Sequence, residues 1–240
     1  METGTGYFDM HCHILPGIDD GFQEVEDSVT GLQLDYEGGI DVVVATPHYY
    51  PKESVDSFLA RRKDARDRLA AALTHSKKPF PAVYLGAEVA YREGLLQEEK
   101  LDKLCIAGSR YMLLELPFHK WSAKVITDVR AFYRVRGIIP ILAHLERYFD
   151  IEDKEAIEEV RKADVLVQMN AEYILDKHTR KKAKKILSQG GAHVLGSDCH
   201  NLTSRPPNLD FAFEQMFDWG MDDLVYEMIQ TSEHIINNGL

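Results

Sequence analysis

Residues 9–21 read DMHCHILPGIDDG and place His11, His13, Asp19 and Asp20 in one short stretch. The two histidines close the apolar run YFDMH (7–11) and extend just past it. Side chains alternate along a strand, so His11 and His13 face one way while Cys12 faces the other. So dense a set of donors admits three readings: a metal cluster, a polar turn, or a pair of core histidines beside a surface loop. The rest of the chain decides among them.

Six further runs rich in β-branched and aliphatic residues follow: DVVVATPH (41–48), AVYLGAEV (82–89), YMLLEL (111–116), IIPILAH (138–144), DVLVQMN (164–170) and AHVLGSD (192–198). Most are continuous rather than alternating in polarity, as in parallel strands covered on both faces. Segments 22–38, 54–76, 121–136, 152–163 and 178–189 have helical length and amphipathic spacing, and 208–238 reads as two closing helices. Gly38-Gly39, Gly137 and Gly190-Gly191 stand where those helices end. No linker or composition shift divides the chain, which gives one domain over residues 1–240.

Six of the seven runs carry a potential ligand at or just past the C-terminal end: His11 and His13, His48, Glu88, Glu115, His144, then Asp198 and His200. The remaining run ends in Asn170. An open doubly wound sheet gathers its polar residues at one switch point. Polar groups at the end of every strand instead fit a closed ring with its site at the mouth, so the expected fold is α/β, a seven-stranded β/α barrel.

Composition narrows the function. The formal net charge of -11 opposes general binding to nucleic acid or anionic lipid. No signal-like N-terminus and no apolar run near membrane-spanning length is present, so membrane insertion is not expected. Three cysteines, Cys12, Cys105 and Cys199, without paired spacing suit a reducing cytoplasm.

Asp198 and His200 repeat the alternation seen at His11 and His13, with Cys199 turned away. One such pair is weak evidence of a metal, but two pairs joined by His48, His144, Glu88 and Glu115 at strand ends are strong. Imidazoles mixed with carboxylates suit zinc, manganese or iron, and the donors are too many for one ion. Paired ions clamp the attacking and leaving oxygens of a phosphoryl transfer.

The order of HCHILPGIDDG, ATPHY, GAEV, LLELP, AHLERY and GSDCHN…RPPN over residues 9 to about 208 resembles the PHP superfamily. Within it the motifs look most like the metal-dependent protein-tyrosine phosphatases of bacterial capsule and exopolysaccharide loci. The resemblance implies a distorted seven-stranded barrel with three divalent ions, manganese first and iron or zinc as alternatives. It assigns His11, His13, Glu88 and Asp198 to one ion. Glu88, Glu115 and His144 go to a second, and Asp20, His48 and His200 to a third. Carboxylates at Asp20 and Glu115, where other PHP phosphatases often have histidine, fit the tyrosine-phosphatase branch rather than histidinol phosphatase. Asp19 is left to shape the PGIDDG loop. The implied substrate is a phosphotyrosine protein, the tail of a bacterial tyrosine kinase that regulates polysaccharide export.

Arg147 and Arg205 lie in loops leaving strand ends, and each offers a planar fork matched to phosphate oxygens. The expected reaction is in-line attack by a metal-activated hydroxide, with the ions and both arginines neutralising the phosphoryl oxygens. Tyr49, Phe118 and Trp121 are candidates to meet the phosphotyrosine ring. The run KHTRKKAKK (177–185) is a solvated helix face or a dock for an acidic tail. The main rival uses the C-x5-R spacing of Cys199 and Arg205, which is that of cysteine-dependent phosphatases, but the loop lacks the glycine such a phosphate cradle contains. Other small phosphomonoesters, histidinol phosphate among them, and a non-catalytic scaffold complete the alternatives.

Overall fold

Each apolar run forms parallel strand structure, because a run apolar on both faces is stable only when both faces are covered. The computed structural model describes residues 6–50 and 52–238; residues 1–5, Pro51 and residues 239–240 lie outside it. The strands are β1 (Tyr7–Cys12), β2 (Ile40–Ala45), β3 (His48–Tyr49), β4 (Ala82–Leu85), β5 (Glu88–Ala90), β6 (Tyr111–Glu115), β7 (Ile139–Leu142), β8 (Leu166–Asn170) and β9 (Val194–Gly196). Two expected runs are thus each split in two, giving nine strands among the described residues instead of seven. The breaks fall at Thr46-Pro47 and Gly86-Ala87. Proline there has no N–H for the ladder, and pairing continues across the gap through Gly86 N–H to Ala45 O (2.8 Å) and Glu88 N–H to Pro47 O (3.1 Å).

One sheet runs β1-β2-β4 and the other β3-β5-β6-β7-β8-β9, and every named pairing is parallel. The chain's first and last strands also meet. Cys12 and Cys199 form a parallel bridge, His13 N–H donates to Cys199 O, and Asp198 N–H donates to His11 O. This approach requires glycine at 196, since a Cβ there would lie 2.5 Å from that of His11.

Helices α1 (Val25–Glu37), α2 (Val55–His75), α3 (Ala123–Arg136), α4 (Lys154–Arg161), α5 (Ala171–Leu175), α6 (Arg180–Leu187), α7 (Leu209–Asp218) and α8 (Asp222–Asn237) fill the connections. The expected helices are all present. The short α5, and three single 3-10 turns between residues 95 and 108, carry too little periodicity to be read from sequence. None of the described helices is long and apolar enough to cross a membrane.

The core has two parts. Met10, Val44, Leu113, Ile141, Ala143 and Val194, from five strand runs, form a buried cluster with Ile106, Ile235 and Ile236. A larger cluster lies between strands and helices, with Cys12, Leu32, Phe58, Phe132 and Met216 among its members. Glu115 follows Leu113 by two residues along β6 and so keeps its facing, while His48 and Asp198 come four residues after Val44 and Val194, past the ends of β2 and β9.

Candidate metal centre

Regular alternation alone does not bring the donors together; local irregularities re-aim them. In β1, Asp9 pairs with Val43 but Cys12 with Ala45, so one extra residue is accommodated in the stretch that holds Met10 and His11. Such a bulge redirects a side chain. Three non-glycine described residues have positive φ, and two of them are His144 (34°) and Asp198 (54°). Left-handed backbone at non-glycine residues is held by its surroundings and is concentrated at functional sites.

Around one point, His11 Nε2 and His13 Nε2 are 3.1 Å apart, and each lies 3.4 Å from Asp198 Oδ1. Glu88 Oε2 is 3.4 Å from the first nitrogen and 3.3 Å from the second. Its other oxygen is 2.9 Å from His144 Nε2, which is 3.6 Å from Glu115 Oε1. On the other side, Asp20 Oδ1 is 3.4 Å from His48 Nε2 and 3.7 Å from His200 Nε2. Three donor groups result: His11, His13 and Asp198; His48, Glu88 and Glu115; and His13, Asp20, His48 and His200. Eight of the nine residues expected as ligands fall in these groups; His144 falls in none and meets Glu88 and Glu115 only through its Nε2. His48 stands between the second and third groups, whereas the resemblance gave it to the third alone. Most of the set is buried, and Asp20, 65% exposed, is the open edge.

The buried charges hold one another. Burial opposes ionisation of Asp198 and Glu88, yet the His11 and His13 imidazoles keep both carboxyls well below the usual carboxylate range. Burial likewise opposes protonation of His144, but Glu115 and Glu88 raise it to about 9. His13 is also pushed up, against its burial, by Asp19, Asp198 and Glu88. His200 goes the other way, to about 4, through burial, His13 and Arg205.

Asp19 does more than turn a loop. Its Oδ2 accepts from His13 Nδ1 (2.9 Å) and from the His48 N–H (2.9 Å), and its Oδ1 accepts from the Gly21 N–H. A carboxylate on the far nitrogen of a histidine fixes the ring and leaves Nε2 free as a donor. His200 is set alike by its own strand, Nδ1–H donating to Asp198 O at 2.9 Å. The sequence signal for Asp19 is only its adjacency to Asp20, which does not tell which carboxylate faces inward.

Both arginines reach the centre. Arg147 donates to Asp198 Oδ2 at 2.8 Å, and the Arg205 guanidinium forms an ion pair with the same oxygen at 2.6 Å. One oxygen of Asp198 thus faces the histidines and the other holds two guanidinium groups, each about a third exposed. The C-x5-R loop forms no anion cradle. The N–H groups of Thr203, Ser204 and Arg205 all donate to Asn201 Oδ1, and those of His200 and Asn201 donate to Arg205 O. Cys199 is fully buried with its sulfur 3.2 Å from that of Cys12.

The Tyr49 expectation needs correction. Tyr49 is fully buried, packs edge-on against Phe58 and donates its hydroxyl to Glu53 O. Strand alternation in β3 sends it to the core because His48 faces the donors. Its neighbour Tyr50, half exposed, stacks instead on His48 (5.0 Å between ring centroids). Across the site Phe118, also half exposed, stacks on His144 at 5.7 Å. Trp121 is buried against Tyr148.

The donors fit a cation on chemical grounds. Glu88 Oε2, His48 Nδ1, His144 Nδ1 and His200 Nε2 are buried and make no hydrogen bond. Buried polar atoms are otherwise almost always paired. Glu88 Oε2 has three imidazole nitrogens within 3.4 Å and bonds to none, as is expected of donors that share an ion.

Fold and site together define an α/β protein of parallel strands with a candidate metal centre at their carboxyl ends. The family model for capsular polysaccharide synthesis proteins of the CpsB/CapC type matches residues 7–235, and the chain belongs to that family. Among its relatives, the tyrosine-protein phosphatase CpsB of Streptococcus agalactiae serotype III (strain NEM316) is 28% identical, over 96% of this chain and 98% of its own. The tyrosine-protein phosphatase CpsB of Streptococcus pneumoniae is 30% identical over 86% and 88%. The fold is shared with the solved structures of YwqE from Bacillus subtilis and CpsB from S. pneumoniae, described as unique metal-dependent tyrosine phosphatases. There the TM-score is 0.80 at 24% identity, over 97% of this chain and 95% of the other.

Proposed function

We propose that this protein is a metal-dependent protein-tyrosine phosphatase. The observation that carries the reading is Asp198, whose Oδ1 turns to His11 and His13 while Oδ2 holds Arg147 and Arg205. It joins metal-type donors to phosphate-type donors in one side chain, and the names of the family's relatives supply the reaction. We read the nine strands as a distorted seven-unit PHP barrel, two units of which are interrupted. His11, His13, Asp20, His48, Glu88, Glu115, His144, Asp198 and His200 hold three divalent ions, manganese by resemblance.

Bound there, divalent ions supply Lewis acidity that activates water and neutralises the phosphoryl oxygens. The chain's own residues do the rest. Arg147 and Arg205 exchange Asp198 for the phosphoryl oxygens, and each planar fork orients the group for attack in line with the leaving phenolate. Tyr50 and Phe118 stand at opposite rims, where an aromatic leaving group lies between them. A phenolate, with a reference pKa near 10, leaves with less protonation than an alkoxide, so no dedicated general acid is required. The substrate is the phosphotyrosine tail of a kinase that regulates polysaccharide export, and the protein acts in the cytoplasm.

The test compares kcat/KM with Mn²⁺ on a phosphotyrosine peptide, the same peptide with phosphoserine, and histidinol phosphate. The expected order puts the phosphotyrosine peptide first by at least about tenfold, 1.4 kcal/mol in the barrier. Preference for histidinol phosphate or indifference among the three would contradict the substrate assignment.

A further inference from the structure

Strand β8 is the one strand run that supplies no expected ligand, yet it sends two amides into the centre. Gln168 is fully buried and Asn170 nearly so. The backbone N–H of His144 donates to Gln168 Oε1 at 2.8 Å. Because that donor is a backbone amide, the accepting atom has to be the oxygen, and the polarity of every neighbouring contact follows. His11 Nδ1, 3.1 Å from the same oxygen, must carry the proton, which leaves Nε2 with its lone pair toward His13 and Asp198. Gln168 Nε2 then donates to Asn170 Oδ1 (2.8 Å), and Asn170 Nδ2 donates to Asp198 Oδ2 (2.8 Å). One backbone N–H thereby sets the direction of the whole chain of bonds from His11 to Asp198.

We infer that Gln168 and Asn170 are positioning residues for the metal centre, a two-amide bridge that fixes the His11 tautomer and aims Asp198. The inference rests on the proposed metal centre and deepens it. Asp198 Oδ2 accepts from Asn170 and Arg147 and pairs with the Arg205 guanidinium, so Oδ1 is the oxygen left for an ion. The bridge also ties ligands from three strand runs to one another, since the Gln168 oxygen touches both His11 and the left-handed His144 backbone. A histidine ligand commonly gives its second N–H to a carboxylate or a carbonyl, and removing that acceptor costs about 10–100-fold in metal affinity. Here the carbonyl is a glutamine's. Gln168 is followed two residues later by Asn170 on the same face of β8, a pattern that strand alternation requires if both are to point inward.

The experiment measures Mn²⁺ affinity by calorimetry on folded, metal-stripped full-length protein, with the melting temperature of the metal-free state recorded beside it. Gln168→Leu is expected to lose about 10–100-fold in Mn²⁺ affinity. Gln168→Glu keeps an oxygen against His11 Nδ1–H and the His144 N–H but sets its second oxygen against Asn170 Oδ1, and it is expected to recover part of that loss. A packing role alone would not make the oxygen matter. Wild-type affinity in Gln168→Leu, or equally poor binding in the Leu and Glu variants, overturns the inference. If Gln168→Leu does not fold, Asn170→Ala serves: several-fold weaker Mn²⁺ binding supports the bridge, and unchanged binding overturns it. Wild-type protein that binds Mn²⁺ but does not cleave phosphotyrosine would sink the proposed function while leaving the bridge standing. Wild-type protein that binds no divalent ion overturns both.

Discussion

Asp19 Oδ2 accepts the Nδ1–H of His13 at 2.9 Å and the backbone N–H of His48 at the same distance. One carboxylate outside the expected ligand set thus orients donors from two different strand runs. Burial works against its charge, and the His13 contact outweighs this to hold Asp19 below the usual carboxylate value. Asp19→Ala is therefore expected to weaken Mn²⁺ binding by about 10–100-fold, as loss of an outer partner does at other histidine ligands. Calorimetric titration checks this, and unchanged affinity would show that His13 needs no orienting group.

Arg205 sits 2.6 Å from Asp198 and is free to exchange it for phosphate. Removing one donor to transition-state charge typically costs about 10²–10³ in rate. Arg205→Ala is expected to lower kcat/KM on a phosphotyrosine peptide by about that factor and to weaken inhibition by inorganic phosphate. Arg205→Lys restores the charge without the fork and is expected to recover only part of the loss. Full activity in Arg205→Ala would remove this residue from phosphate binding.

Tyr50 and Phe118 flank the donors through their stacking on His48 and His144. Stacked aromatic pairs contribute about 0.5–1.5 kcal/mol beyond burial. The double variant Tyr50→Ala/Phe118→Ala is expected to raise KM for the phosphotyrosine peptide about tenfold, which corresponds to 1.4 kcal/mol. Metal affinity should stay as in the wild type. An equal loss on a small alkyl phosphate would show that the rings do not recognise the substrate's aromatic group.

Asp35 tests the electrostatics of the core away from the donors. It lies buried on α1 with Oδ2 unpaired, and burial, then Asp9 and Asp210, raise its pKa well above the ordinary value. A carboxyl whose folded pKa is raised stabilises fully below its unfolded value near 3.9 and loses that contribution as pH rises toward the folded value. Asp35→Asn is neutral throughout. Its melting temperature should match the wild type near pH 4 and exceed it at pH 8, at about 2–4 °C per kcal/mol. Metal-stripped protein is the sample to use. A gap that is the same at both pH values would contradict the assignment.

The parallel α/β character and the gathering of donors are legible in the sequence because each rests on a short-range rule. Continuous apolar runs mark covered strands, and His11, His13, Glu88, Glu115, His144, Asp198 and His200 each fall at a run's end. Legibility stops where tertiary contacts choose between neighbours. Tyr49 and Tyr50 are identical in sequence terms, and only the facing of His48 sends one to the core and the other to the rim. Asp19 and Asp20 present the same difficulty, resolved by which oxygen meets His13. Gln168 is hidden because an amide within an apolar run reads as an interruption until His11 and His144 are seen against it. The breaks at Pro47 and Gly86 depend on partner strands far away in sequence.

The most direct measurement is phosphate release from a phosphotyrosine peptide by metal-stripped protein, with and without added Mn²⁺, for the wild type, His13→Ala and Cys199→Ser. Metal-centred hydrolysis requires activity that returns with Mn²⁺, survives Cys199→Ser and collapses in His13→Ala. Activity that persists in EDTA and disappears with Cys199→Ser would contradict it and move the chemistry to the loop between Cys199 and Arg205.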